Sequence, residues 1–188
     1  PISLMLRLPE ALEEFREALD ERIRFQYFAQ FVFHQQWFAL RRYANDKGIR
    51  IIGDVPMYLP LDSAEVWANP ELFQLNLSRR PKLVAGCPPD SIYEQGQTWG
   101  NPLYNWENLK ADGYDWWIRR LKAAGRLYDM VRLNHFHGFA RYWAIPVEEG
   151  VPQKGSWMKG PGMDLINTIR KRLPKVEFIA DDLGGMNS

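Results

Sequence analysis

Met130-Val131-Arg132-Leu133-Asn134-His135-Phe136 reads as a short apolar, β-prone run that ends in polar side chains. A second run, Val176-Glu177-Phe178-Ile179-Ala180, ends in the carboxylate pair Asp181-Asp182. A third, Ile49-Arg50-Ile51-Ile52-Gly53, ends at Asp54. Strands that each deliver polar groups at their C-terminal ends are what a parallel (β/α) barrel needs, because those ends converge on one mouth. One of the groups delivered, Asn134, is an amide where an ionised carboxylate would serve chemistry best.

Outward from these runs, the pattern alternates. Leu12, Phe15, Leu19 and Ile23 begin a near-helical period that continues through an aromatic run to Trp37 and Tyr43. It predicts one helix over about 9–47, stopped by Gly48, with Phe25–Phe38 as its core face. Residues 106–128 predict a second helix with Trp117, Leu121 and Ala124 on one face, and 164–173 a third, ended by Pro174. Helix, strand, helix, strand, helix, strand is the order of a parallel α/β sheet. The stretch 55–106 is too long for a plain connection, which points to a functional loop. Its Trp67, Phe73, Tyr93, Trp99 and Tyr104 argue against disorder. A further loop is expected around Pro146 and over Lys154–Gly162.

Composition narrows the classes. The 188 residues suffice for one core, and the formal charge of +1 is spread over interspersed acids and bases. No basic stripe marks a nucleic-acid partner. No apolar stretch approaches a membrane span and no signal-peptide pattern opens the chain. A single Cys87 excludes an intrachain disulfide and a cysteine zinc cluster, and the three His and scattered acids have no metal-ligand spacing. The expectation is therefore no metal, with Cys87 an unreactive small residue in a reducing compartment. The start at Pro1 and the stop soon after a strand-like run are expected of a segment cut from a longer barrel. Carboxylates on separate strands facing one cleft suit sugar-bond chemistry, which needs a proton donor and a nucleophile or base. Arg132, two residues before Asn134, shares its strand face and can hold a neighbouring acid ionised.

Six stretches make a resemblance specific. They are Gly53-Asp54-Val55-Pro56-Met57-Tyr58, Leu61–Pro70, Val84–Asp90, Gly96-Gln97-Thr98-Trp99-Gly100-Asn101-Pro102-Leu103-Tyr104, Val131–Phe139 and Ile179–Gly184. In this order they resemble the 4-α-glucanotransferases, also called amylomaltases or disproportionating enzymes, of the α-amylase clan. The resemblance implies a (β/α)8 TIM barrel, represented by a central fragment of about three strands with their helices and long loops. Residues 1–188 would form one partial barrel domain. It implies retaining transfer of α-1,4-glucan segments between maltooligosaccharides or starch-type α-glucans, without metal or cofactor, in the cytoplasm or a plastid. It places Asn134 at the nucleophile position and Asp181 at the acid/base position, with a third carboxylate beyond Ser188. It implies substrate contacts from Asp54, Tyr58, Trp99, Asn101, Arg132 and His135. His137 stands where many members have Arg.

The departures bear on activity. An amide is a poor nucleophile, so Asn134 does not readily form a covalent glycosyl intermediate. Asp181 is one methylene shorter than Glu and draws the proton donor back by about 1 Å, a shift that alone costs on the order of a hundredfold in rate. Little or no transfer is expected. Taken singly, Asp54 is equally a helix-capping or backbone-binding acid, and Arg132 equally a structural ion pair with Asp54 or Asp129. His135 alone reads as a core histidine, Trp99 and Tyr58 as packing, and Asp182 as a structural acid. Beside the enzyme reading stand a non-catalytic α-glucan-binding module and a structural fragment that needs its missing strands or self-associates.

Overall fold

The computed structural model describes residues 1–181, so Asp182 lies outside the described residues. They form two compact units, residues 1–51 and residues 52 onward. The first holds helices α1 (Ile2–Met5), α2 (Pro9–Ala18) and α3 (Asp20–Asp46). Pro9 opens α2, where its missing N–H is not needed, and Gly48 closes α3 with φ of 75°. The single helix expected over 9–47 is thus two, broken at Leu19 (φ −111°, ψ 12°). The aromatic run on α3 is not a core face either. No residue of α3 is buried, and Phe25 and Phe28 are 64% and 62% exposed. Its apolar side chains, Phe25, Tyr27, Phe28, Phe31 and Phe33, fall on all sides of the helix instead of forming one stripe.

In the second unit, β1 (Ile52–Val55), β4 (Met130–Leu133) and β7 (Phe178–Ala180) form a parallel sheet in the order β1-β4-β7. This is the three-strand fragment the alternation predicts, with β1 beginning three residues later than expected. Register pairs Asp54 with Arg132, and Arg132 with Ile179, so the polar ends stand level. Alternation along β4 sends Val131 and Leu133 into the core and leaves Arg132 on the other face. Helices α6 (Asp115–Leu127) and α7 (Met163–Arg172) cover that core. Trp117 and Leu121 are fully buried and Ala124 nearly so, as their shared face predicts. The helix expected over 106–128 is split into α5 (Trp106–Ala111) and α6, because Gly113 and Tyr114 turn left-handed and the Asp112 side chain accepts the Asp115 N–H.

The two expected loops contain strands. The first carries α4 (Ala64–Ala68), β2 (Leu83–Cys87) and β3 (Gln97–Pro102); the second carries β5 (Arg141–Pro146) and β6 (Ser156–Lys159). Together they build an antiparallel sheet in the order β3-β2-β5-β6, with its own core of Ala85, Leu103, Tyr142 and Ala144. The seam is β2 against β5, Gly86 opposite Trp143. Short runs broken by Gly and Pro hide these strands from a period-2 search.

Gly53 is a point of close approach, since a Cβ there would lie 1.8 Å from the Tyr128 ring. Gly53→Ala should therefore lower stability by about 1–3 kcal/mol, the usual overpacking range, measured by thermal or urea unfolding. An unchanged midpoint would show that the Tyr128 ring swings clear at no cost.

Candidate active site

The β4 chain leaves the sheet sharply. Asn134 still reaches β1, donating its backbone N–H to the Val55 carbonyl at 3.2 Å. His135 then adopts φ of 51°, a conformation rare for a side-chain-bearing residue, and a short 3-10 turn follows over Phe136–Phe139. That turn leaves the His135 and Phe136 N–H groups without strand partners. Asp181, one residue beyond β7, accepts both, at 3.1 Å and 2.8 Å. Strained backbone held by its surroundings is a feature of functional sites.

Four of the polar groups named from the sequence meet here. Arg132 lies 3.2 Å from Asp181 and 3.6 Å from Asp54, so one guanidinium bridges the ends of β1 and β7. Arg132 therefore pairs with Asp54, as one of its readings expects, and also with Asp181. The Asn134 amide donates to Asp54 at 3.2 Å, and its oxygen accepts the His135 N–H at 2.8 Å. The Asp181 side chain is only 8% exposed. Burial alone would raise its pKa; the Phe136 and His135 N–H groups and the Arg132 charge outweigh it and hold the carboxyl below its usual value.

In front of this charged cluster opens a cleft of about 340 Å³, lined by Pro56, Tyr58, Gln97, Trp99, Asn101, Asn134 and His135. Tyr58, Trp99, Asn101, Asn134 and His135 are thus brought together, while Asp54, Arg132 and Asp181 stand beside the cleft and not in its lining. The Trp99 ring lies 5.0 Å from His135 and 5.7 Å from Tyr58, and Tyr58 lies 6.3 Å from His135, giving a three-ring wall. Burial pushes the Tyr58 hydroxyl well above its ordinary value, so it stays protonated and able to donate. His135 Nδ1 is buried and has no hydrogen-bond partner among the described residues. Burial, then His135 beside it, lowers the His137 pKa.

Gln97 was not singled out from the sequence. Its side-chain oxygen accepts the Trp99 indole N–H at 2.9 Å and fixes that ring. The signal was present, since residues two apart on a strand share a face. Cys87 lies behind Gln97, its sulfur 3.9 Å from the same oxygen, and burial raises its thiol pKa. Among the described residues no three His, Cys, Asp or Glu side chains gather to hold a metal ion, and no helix is long and apolar enough to cross a membrane.

Parallel strands with level polar ends, backed by helices, define a segment of a (β/α)8 barrel. The chain belongs to the 4-alpha-glucanotransferase family, whose model matches residues 1–188. It is 48% identical over 181 residues to the 4-alpha-glucanotransferase of Aquifex aeolicus, covering 96% of this chain and 37% of that protein. It is 44% identical over 184 residues to the chloroplastic/amyloplastic enzyme of Solanum tuberosum, covering 98% and 32%. The amylomaltase of Streptococcus agalactiae, solved in complex with acarbose, superposes with a TM-score of 0.96 at 42% identity, covering 100% of this chain and 38% of that one. The chain thus spans about a third of the length of these relatives.

The Asp181 contacts make stability depend on acid. A carboxyl whose folded pKa is depressed adds stability above its unfolded value of about 3.9 and loses it as pH falls through the folded value. Asp181→Asn should therefore destabilise the chain near neutral pH and converge with the parent in strong acid, as followed by unfolding midpoints across pH. A constant difference at every pH would remove the charge from the explanation.

Proposed function

We propose that this chain forms the sugar-accepting mouth of a retaining 4-α-glucanotransferase, which moves α-1,4-glucan segments between maltooligosaccharides, and that in this chain transfer is weak or absent. The observation that carries the reading is the meeting of Asp54, Arg132, Asn134 and Asp181 at the ends of three parallel strands, beside the Trp99–Tyr58–His135 wall. Flat aromatic faces suit the C–H faces of a glucose ring, and Gln97, Asn101 and the Tyr58 hydroxyl can meet its hydroxyls. A relative solved in complex with acarbose supports an α-glucan-type ligand.

Retaining transfer needs a carboxylate that attacks the anomeric carbon while an acid protonates the leaving oxygen. Asn134 occupies the attacking position with a neutral amide whose two ends are already bonded to Asp54 and to the His135 N–H. Asp181 occupies the donor position, yet both its oxygens accept backbone N–H groups and its low pKa leaves it no proton to give near neutral pH. These same bonds favour a second reading, a module that holds α-glucan without turnover. On either reading the compartment is the cytosol or, as for the potato relative, a plastid. Among the described residues the outer side of β7 is unpaired and flanked by an apolar hollow including Leu133, Ile166, Leu173 and Phe178, where further barrel strands or a second copy would add.

Calorimetric titration with maltoheptaose should give saturable heat, and Trp99→Ala should weaken binding at least about tenfold, a loss of roughly 1.4 kcal/mol. No heat at millimolar ligand would reject α-glucan binding in both readings.

Asn134→Asp together with Asp181→Glu, made in the full-length protein, should yield glucose and longer oligosaccharides from maltotriose, read by chromatography. Binding without these products would leave the non-catalytic module as the function.

A further inference from the structure

Behind the aromatic wall lies a polar network that the cleft chemistry does not use. Tyr104 is 1% exposed and sits among the rings of Phe73, Trp106, Trp116 and Trp117, with centroids 5.0 to 5.8 Å away. Its hydroxyl donates to the backbone carbonyl of Met57 at 2.5 Å. The Arg120 guanidinium stands beside that hydroxyl. That cation lies 5.3 Å over the Trp116 ring and 5.1 Å over the Trp117 ring, and Trp116 donates its indole N–H to Glu65 at 2.9 Å. Two aromatic faces and a carboxylate near one half-buried guanidinium hold that cation in place. The positive guanidinium beside the Tyr104 hydroxyl polarises the O–H and strengthens its bond to the carbonyl.

Met57 transmits this. It is fully buried, and Gly138, in the turn after His135, packs so closely that a Cβ there would lie 2.3 Å from the Met57 sulfur and 3.2 Å from the Tyr58 hydroxyl. Met57 is thus pinned by Tyr104 on its carbonyl and by Gly138 on its side chain. The next residue is Tyr58, whose ring forms one side of the cleft. We infer that Tyr104, held by Arg120, is a positioning residue for α-glucan binding, acting through the Met57 carbonyl to set the Tyr58 ring against Trp99 and His135. This deepens the reading of the cleft as a glucan site and rests on it.

The test is a double-mutant cycle on the full chain with maltoheptaose. Tyr104→Phe removes only the hydroxyl and should weaken binding about threefold to tenfold. In a Tyr58→Ala background the same change should have an effect of less than twofold, because the ring it positions is gone. A purely structural role would weaken binding equally in both backgrounds, and that result overturns the inference, as does unchanged binding in Tyr104→Phe alone. Should Tyr104→Phe fold poorly, Arg120→Lys serves in its place, since it keeps the charge and loses the planar fork. A second measurement does not depend on sugar. In chain labelled with 3-fluorotyrosine, the resonance that vanishes in Tyr58→Phe reports the Tyr58 ring. It should shift or broaden in Arg120→Lys, and an unmoved resonance overturns the coupling even if no glucan binds. Absence of binding by the parent chain with a shifted resonance would sink the glucan reading and leave the coupling standing.

Discussion

The polar end of the parallel sheet depends on how the Asp181 carboxylate is satisfied. When β4 turns away at His135, two backbone N–H groups lose the partners a strand would give them, and a buried N–H without a partner costs about 1–3 kcal/mol. Asp181 takes both and accepts Arg132 as well, so one side chain from β7 closes the end of β4. Arg132 then reaches across to Asp54 on β1. The register pairing of Asp54 with Arg132 makes this bridge short enough to form, and the Asn134 N–H to Val55 bond holds the same two strands one step further on. His135 owes its unusual φ to this surrounding net, and its ring faces Trp99 as a result.

On the proposed reading, the same economy favours holding a glucan over transferring it. A general acid must keep a proton and present it to the substrate; a nucleophile must keep a lone pair directed at carbon. Asp181 and Asn134 have spent these capacities on the protein itself. A longer carboxylate at 181 would carry its oxygens past the backbone N–H groups and towards the cleft. A carboxylate at 134 would lose the donation to Asp54 and add a third negative charge to Asp54 and Asp181 around one guanidinium, which disfavours ionising all three. On that reading, structural satisfaction and catalytic readiness compete for the same atoms.

What could be read from the sequence follows from how local each signal is. The three parallel strands were legible because an apolar run ending in polar groups survives any tertiary context. The face of Trp117, Leu121 and Ala124 was legible by period alone. The break of the second helix was carried by Asp112-Gly113, a turn pair outweighed by the apolar period around it. The antiparallel sheet was not legible. Gln97-Thr98-Trp99-Gly100-Asn101-Pro102 has three strand-poor residues in six, and it forms β3 only because β2 supplies the pairing. Of the cleft, Tyr58, Trp99, Asn101, Asn134 and His135 were found through motif and loop position, whereas Gln97 needed the strand that sequence reading had taken for a loop. The aromatics of α3 misled because ring content was read as burial.

The cleft has walls from both sheets, and this makes its width a property of one seam. His135 is placed by the parallel sheet, through β4 and Asp181. Trp99 and Asn101 are placed by β3, which reaches the rest of the unit through β2 and the β2–β5 pairing. At that seam Gly86 has no room for a side chain, since a Cβ would lie 2.2 Å from the Gln97 carbonyl oxygen and 2.4 Å from Ile145. Any residue larger than glycine would push β3 outward and carry Trp99 with it. A shift of one residue in β2–β5 would turn Ala85 and Ala144 out of the second core and reverse every face behind Trp99. The 5.0 Å between Trp99 and His135 is thus set by backbone packing well behind the rings, which is how a cleft made of long insertions keeps a fixed shape.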